Sequence, residues 1–549
     1  MLSRLFCFAA AAAAASAAST AVPASSSRVK YVIVVMMENR SFDHLLGHLG
    51  LTNADIDGLQ VPQSNPVDPQ NASSPRVPVA YDAIDGGPTD PLHDFDSITQ
   101  QIYGFHKGIN ESAAVTMDGF VANAAASAKS FVMSAFNDTN LSVLSSLARD
   151  FAVFDHWHCS CPCPTNPNRE FLMSGTSHGM TVNTIPEAGF PQQTHFGFLN
   201  ERGISSKVYF NDDPWMAPTF AELRSPFWLN RTVEMPQFFA DLAGGSLPQY
   251  SLIQPRMATS KNGTSNWQHP DNSVEAGEIF YASIYEALRA SPYWEESLLI
   301  ITYDEHGGFF DHQAPSEAAP APDSILGDNG FDFTRLGVRI PTVMVSPWIA
   351  KGTVVHRPTG ARAPQATSEY DATSIMSSAN KIFGITDHMS LRDSWAGTFH
   401  DLVDGSTPLR TDCPRTLAKP PAPSAEQIAR EEATPFNDHH FDSINLLCHL
   451  AAHVHPACAG FAGDRAPFLA ELEAAAAAPA ALAAAGARTA GARTGADSAW
   501  AHSAEWPHVF AGAARLLQQQ HFEGISRSLF TAYKSATMAA AEAAAAASA

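Results

Sequence analysis

Two pairs of polar residues stand out because each directly follows an apolar run. Glu38-Asn39 comes after Val29-Lys-Tyr-Val-Ile-Val-Val-Met-Met37, and Asp304-Glu305 comes after Ser297-Leu-Leu-Ile-Ile-Thr-Tyr303. Carboxylates joined by an amide oxygen are the hard ligands that a divalent cation takes, and such a cation polarises phosphoryl oxygens. Either pair alone is explained as well by a helix cap or a surface ion pair. Two pairs at the ends of two apolar runs, with Gly307-Gly308 after the second to let backbone approach a ligand, point to a site. A third segment supplies a hydroxyl. In Cys163-Pro-Thr165-Asn-Pro-Asn168-Arg169 two prolines and two asparagines surround one threonine, which predicts a rigid turn and not a helix. Thr165 beside a cation or a base is a competent nucleophile; its competing role is a turn hydrogen bond. Arg169 could grip phosphate oxygens or brace the turn. Among 22 histidines, His93 in Pro91-Leu-His93-Asp94-Phe95 and His269 in Asn266-Trp-Gln-His269-Pro270 stand out by context. Imidazole titrates near neutral pH, so either could protonate a leaving alkoxide. His306 and His312, on either side of the glycine pair, are further candidates.

These groups need a frame that brings distant segments together. The two acid-tipped runs, and a third at Ile340-Pro-Thr-Val-Met-Val-Ser346 leading into Pro347-Trp348, are continuous in Val, Ile and Leu and suit a parallel sheet covered on both faces. Ahead of the second lies a predicted helix, Val274 to Ala290, with Ala276, Phe280, Ile284 and Ala287 spaced to share one face. Alternating strands and helices give an α/β class with a mostly parallel sheet flanked by helices, in which ligands collect at the carboxyl ends of strands.

At 549 residues the chain exceeds one ordinary core. A formal charge of -22 argues against a basic nucleic-acid groove and against sustained docking on an anionic membrane, leaving neutral or zwitterionic lipid open. Residues 1–24 have the basic, apolar, small-residue order of a signal peptide, and no second apolar run is long enough to span a bilayer. This predicts a soluble protein that is secreted or held in the secretory-pathway lumen, extracellular or vacuole-like. Six cysteines remain after the leader, Cys159, Cys161, Cys163, Cys413, Cys448 and Cys458, an even count that predicts disulfides in such a compartment. The C-x-C-x-C cluster lacks zinc spacing. Sequons at Asn71, Asn110, Asn137, Asn140, Asn230 and Asn262 are compatible with glycosylation. The expected organisation is a catalytic domain over 25–418, a helical region over 419–470 and an Ala-rich low-complexity tail over 471–549, part helical and part disordered, with no catalytic role.

Several motifs, in order, resemble the phosphoesterase family of bacterial phospholipases C, plant non-specific phospholipases C and related acid phosphatases. They are Met37-Glu-Asn-Arg-Ser-Phe-Asp-His-Leu-Leu-Gly47, Thr165-Asn-Pro-Asn-Arg169, Ile301-Thr-Tyr-Asp-Glu-His-Gly-Gly308, and Leu336-Gly-Val-Arg-Ile-Pro-Thr342 with Ser346-Pro-Trp348. Trp395-Ala-Gly-Thr-Phe399 and Arg410-Thr-Asp-Cys-Pro414 resemble the plant-type branch. The resemblance spans about residues 28–415 and implies an alkaline phosphatase-like fold. By position it implies a divalent metal ion on Glu38, Asn39, Thr165, Asp304 and Glu305, with Thr165 also the nucleophile. It implies His93 and His269 as phosphate-contacting or acid–base groups. The implied reaction is phospholipase C-type hydrolysis of a phospholipid at transient membrane-surface contact, through a phosphothreonine, to diacylglycerol and a phosphorylated head group. Asn272-Ser273 stands where many relatives carry His-Asp, and Ala372 where plant-type relatives carry His; these departures bear on acid–base function and head-group choice. The alternatives are a phosphomonoesterase of acid-phosphatase type and an inactive secreted binding protein on the same scaffold.

Overall fold

A computed structural model of the chain describes residues 26–108, 112–434, 438–451 and 519–548. The two acid-tipped runs form neighbouring strands at the centre of an eight-stranded sheet. In chain order the strands are β1 Tyr31–Met37, β2 Ala152–Phe154, β3 Ser206–Phe210, β4 Thr232–Glu234, β5 Tyr250–Gln254, β6 Ser297–Tyr303, β7 Thr342–Val345 and β8 Thr353–Val355. Across the sheet they lie in the order β8-β2-β7-β6-β1-β5-β3-β4. Every residue of β6 and all but the first of β1 are buried, as strands covered on both faces must be. The class is α/β with a mostly parallel sheet flanked by helices, as the run pattern predicts.

The third predicted strand differs in direction. β7 runs antiparallel to both of its neighbours, β6 and β2, while the other pairings are parallel. An apolar run records burial on both faces but not chain direction, so the parallel placement expected for this strand is corrected. The reversal delivers the start of the strand, with Arg339, to the acid-bearing end of the sheet. Trp348 goes to the opposite end, where its Nε1 donates to the Glu295 carbonyl at 2.7 Å just before β6 begins.

The helices used below are α1 Phe95–Tyr103, α2 Ser142–Asp150, α3 Thr165–Ser174, α4 Met235–Gly244, α5 Val274–Ala290, α6 Ala372–Ile382, α7 Ala425–Glu432, α8 Asp438–Ala451 and α9 Gln519–Ser548. α5 has the predicted bounds, with Ser273 capping the Ala276 N–H and Ala276, Phe280 and Ile284 buried. α3 is a correction, since the segment read as a turn is a helix whose first residue is Thr165. Pro164 precedes it and Pro167 lies in its first turn, where the backbone N–H has no intrahelical partner to lose. The cysteine expectation is also corrected in part: Cys159, Cys161, Cys163 and Cys413 are buried free thiols. The signal-peptide reading of 1–24 lies outside the described residues.

The Ala-rich tail holds more structure than its composition suggests. Phe522, Ile525, Leu529 and Phe530 are buried at helical spacing on α9, which packs against α8 and onto the catalytic domain. Burying four such side chains contributes about 1.5–3 kcal/mol each, enough to dock a helix whose remaining surface is alanine. Polar groups fix its position. Asp213, three residues beyond β3, accepts from Ser443 of α8 at 2.5 Å and Ser526 of α9 at 2.7 Å. Glu523 accepts from Arg256 at 2.6 Å and Ser260 at 2.7 Å.

Three acids at this junction hold their protons unusually tightly. Burial pushes Asp213 up to about 7, Asp212 up to about 6 and Glu431 of α7 up to about 7, against hydroxyl, N–H or arginine partners that favour the charged form. Each binds its proton more tightly docked than exposed. Their contribution to docking is therefore lost as pH rises from about 4 through about 7, whereas Glu523, held below the ordinary carboxylate range by Ser260 and Arg256 despite burial, contributes docking that is lost as pH falls below that range. Hydrogen exchange of residues 519–548, corrected for intrinsic rate, should be faster at pH 8 than at pH 5, and Asp213→Asn should remove part of that difference.

Candidate active site

The register of β1 against β6 decides where the acids meet. Met37 lies opposite Tyr303, so the two strands end together and Glu38 emerges beside Asp304. Glu38, Asn39 and Glu305 are fully buried and Asp304 is 2% exposed. Asn39 adopts a left-handed backbone (φ 55°), which asparagine tolerates better than most residues. Its N–H donates to Asp304 Oδ1 at 3.0 Å, and the Arg40 N–H donates to the Glu305 carbonyl at 3.0 Å. Gly307 (φ 64°) is needed here for space as well as conformation: a Cβ would lie 2.1 Å from the Asn39 carbonyl oxygen. Its N–H donates to Glu305 Oε2 at 2.8 Å.

α3 brings the hydroxyl and the counter-charge together. Thr165 Oγ1 donates to Glu38 Oε1 at 2.8 Å and lies 3.4 Å from Asn39 Oδ1. One turn later, Arg169 donates from Nε to Asp304 Oδ2 at 3.0 Å and from Nη2 to both a Glu38 oxygen and the Met37 carbonyl. Of its two sequence-based roles, Arg169 therefore braces; what it holds is the acid pair. Asn166 in turn is fixed by Asn183, which accepts from its backbone N–H at 2.9 Å and its side-chain amide at 2.7 Å.

The two histidines approach from different loops. His93 Nε2 lies 3.2 Å from the Asn39 amide and its Nδ1 donates to the Pro91 carbonyl at 2.7 Å. His269 is stacked on Trp267 at 4.8 Å and held through Nδ1 by Asp271. Asp90, which sequence reasoning passed over, lies between them, 3.7 Å from His93 Nδ1 and 3.6 Å from His269 Nε2. Its position three residues before His93 was the available clue. Burial would lower both imidazoles, but nearby carboxylates outweigh it: Glu305 and Asp90 raise His93 to about 9, and Asp90 and Asp271 raise His269 to about 9. Both rings are held toward the cationic form; for His93 that form needs Nε2–H donating to the Asn39 oxygen, whereas an Asn39 oxygen turned to the acids leaves the ring neutral. Trp267 also touches His440 of α8 at 5.9 Å between centroids, so the C-terminal helices reach the back of this wall.

The remaining candidates fall elsewhere. His306 is buried, with Nε2 paired to Gln101 at 2.7 Å and Nδ1 3.4 Å from Glu305. His312 belongs to a second network, in which its ring is held by Asp43 at 2.6 Å and Asp57 at 3.1 Å. Asp43, Asp311 and His312 lie close enough to share a cation. Arg339 already fills that role, donating to Asp311 at 3.0 Å and Asp43 at 2.9 Å from a fully buried position. Asn272 accepts from Trp267 Nε1 at 2.7 Å and Ser273 caps α5; Ala372 is the buried first residue of α6. At these positions the chain carries packing and capping groups.

The primary cluster suits a cation. Two buried carboxylates, Glu38 and Asp304, share Arg169, with Glu305 beside them, and burial with the nearby Glu38 pushes Asp304 well up despite that arginine. The Asn39 amide can turn either way. Its nitrogen facing the acids would satisfy Glu38 and Glu305 by hydrogen bonds. With the oxygen facing them, oxygens of Glu38, Asn39, Glu305 and Thr165 converge, which is the donor set a hard divalent ion takes.

Comparison with known proteins agrees with this chemistry. A sequence model of the phosphoesterase family matches residues 29–386. Non-specific phospholipase C1 of Arabidopsis thaliana is 40% identical over 402 residues, covering 71% of this chain and 73% of that protein. Phospholipase C A of Mycobacterium tuberculosis is 26% identical over 433 residues, covering 69% and 78%. Among solved structures, an alkaline phosphatase superfamily protein from Vibrio parahaemolyticus superposes with a TM-score of 0.34 at 11% identity, over 68% of this chain and 72% of that one. That superposition is loose and adds nothing to the assignment. The chain belongs to the phosphoesterase family and is a hydrolase acting on phosphoric ester bonds.

Proposed function

We propose that the protein is a phospholipase C-type enzyme that cleaves glycerophospholipids to diacylglycerol and a phosphorylated head group, using Thr165 as nucleophile. The observation that carries the reading is the Thr165 hydroxyl donating to Glu38 inside a cluster of buried acids, at the first residue of a helix. Relatives named phospholipase C over some 70% of the chain supply the substrate class. Glu38, Asn39, Thr165, Asp304 and Glu305 would hold a divalent ion, which supplies Lewis-acid polarisation of a phosphoryl oxygen and eases loss of the Thr165 proton.

The chain's own groups account for the rest. Glu38 Oε1 accepts the Thr165 proton as Oγ1 bonds to phosphorus and the bond from phosphorus to the glycerol oxygen breaks. The positive end of the α3 dipole favours the negative phosphoryl oxygens gathered there. The His269 imidazolium gives a proton to the leaving diacylglycerol alkoxide, while His93, beside the Asn39 amide, contacts the phosphate. The His269 ring, now neutral, takes a proton from water as that water bonds to phosphorus and the bond to Thr165 Oγ1 breaks; Glu38 returns its proton to Oγ1, and the head group leaves. Arg169, one turn along α3, is a positioning residue that keeps Glu38 and Asp304 together.

The deciding assay offers phosphatidylcholine and p-nitrophenyl phosphate side by side. Diacylglycerol release is expected; phosphate release from the monoester alone would replace this reading with a phosphomonoesterase. Thr165→Ala should lower turnover by about a thousandfold or more, since no hydroxyl remains to carry phosphate, while unfolding shifts by only the ~1–2 kcal/mol of one charge-assisted hydrogen bond. Mass spectrometry of wild type quenched during turnover should find phosphate on Thr165. Chelator should abolish activity and a divalent ion restore it; full activity in chelator would remove the cation from the proposal.

A further inference from the structure

Exposed apolar side chains gather beside the catalytic cluster. Val182, Ile325, Leu326 and Leu391 are 48%, 37%, 60% and 60% exposed. They stand on two loops and the first turn of a short helix, Leu391–Trp395, that touch one another. A Cβ at Gly179 would lie 2.8 Å from both Ile325 Cγ2 and the Leu326 carbonyl oxygen, one at Gly327 would lie 2.8 Å from Thr181 Cγ2, and one at Gly175 would lie 2.8 Å from Ser390 Oγ. Thr176 donates to Asp323 at 2.5 Å, and the Leu391 N–H donates to the Pro322 carbonyl at 3.0 Å. The surface so formed adjoins the nucleophile, because Asn183, next to Val182, holds Asn166, next to Thr165. Leu92, 52% exposed, immediately precedes His93.

Charged groups on these loops are occupied by their own backbone or turned inward. Asp323 accepts from Thr176 and from the Ile325 N–H at 2.8 Å, and Arg392 is fully buried. Asp328 stands exposed at the rim, and the chain as a whole carries -22, so the patch offers no attraction to an anionic leaflet. What it offers is apolar area next to a phosphate-cleaving site. A headgroup boundary gains free energy from such area without needing charge.

We propose that the two loops bearing Val182, Ile325 and Leu326, with the helix start at Leu391, form a seat for a zwitterionic phospholipid bilayer, placing scissile phosphates at Thr165. This rests on the phospholipid reading above and assigns it a surface. The test uses the full-length protein and the double variant Ile325→Asp/Leu326→Asp, with Phe239→Asp on the outer face of α4 as control. Cosedimentation with phosphatidylcholine vesicles, which needs no catalysis, should weaken about tenfold or more in the double variant and stay unchanged in the control. Hydrolysis of vesicular phosphatidylcholine should fall in parallel. Hydrolysis of a short-chain phosphatidylcholine kept below its micelle concentration should stay within about twofold of wild type, with an unshifted unfolding temperature. Unchanged vesicle binding in the double variant overturns the proposal. So does an equal loss on the monomeric substrate, which would assign the loops to the pocket, or a wild-type dimer that the variant converts to monomer. Absence of phosphatidylcholine hydrolysis by wild type, with vesicle binding still lost in the variant, would sink the phospholipase reading and leave the surface standing.

Discussion

Two parallel strands that end in register, both tipped with acids, set the terms for this molecule. Because Met37 pairs with Tyr303, Glu38 and Asp304 leave the sheet side by side in a region closed to water. Like charges in such a place are costly unless opposite charge is supplied within hydrogen-bond reach. Arg169 supplies part of it, and to reach both acids it must stand one turn into a helix that begins at the sheet's carboxyl end. Thr165 is placed by the same requirement. The nucleophile candidate is beside the acids because the helix that neutralises them has to start there.

A second buried arginine performs the same service a short way off. Arg339 joins Asp43 from the segment after β1 to Asp311 from the segment after β6, and its Nη1 donates to the Asp57 and Asp155 carbonyls at 2.7 Å each. The two clusters have similar residue types and different consequences. In one, every carboxylate around the arginine has its guanidinium, backbone or imidazole partner. In the other, Glu305 faces an amide that can present oxygen, and Thr165 presents a hydroxyl. We place the proposed chemistry in the latter cluster, where oxygens of Glu38, Asn39, Glu305 and Thr165 converge.

Much of this was legible beforehand, for definable reasons. Long apolar runs report burial on both faces, so the central strands and the acids at their tips could be read from spacing alone. Strand direction could not, and β7 proved antiparallel. Proline content suggested a turn at Thr165, yet a first helical turn tolerates proline because its N–H groups have no partners to lose. Alanine dominated the reading of the tail and hid the Phe522-Ile525-Leu529-Phe530 stripe, a periodic signal over only nine residues within a biased background. Asp90 went unnoticed because its importance is spatial, arising only when the loops carrying His93 and His269 face each other.

The helix that starts at Thr165 has a mechanical implication. Phe171, Leu172 and Met173 lock its second half into the core, so the Thr165 hydroxyl and the guanidinium that clamps the acids ride on one stiff rod. Thermal motion of the surrounding loops can widen or narrow access without altering the spacing between those two groups. On the proposed mechanism, the spacing of hydroxyl and acids is then set by the helix and not by whatever approaches from outside.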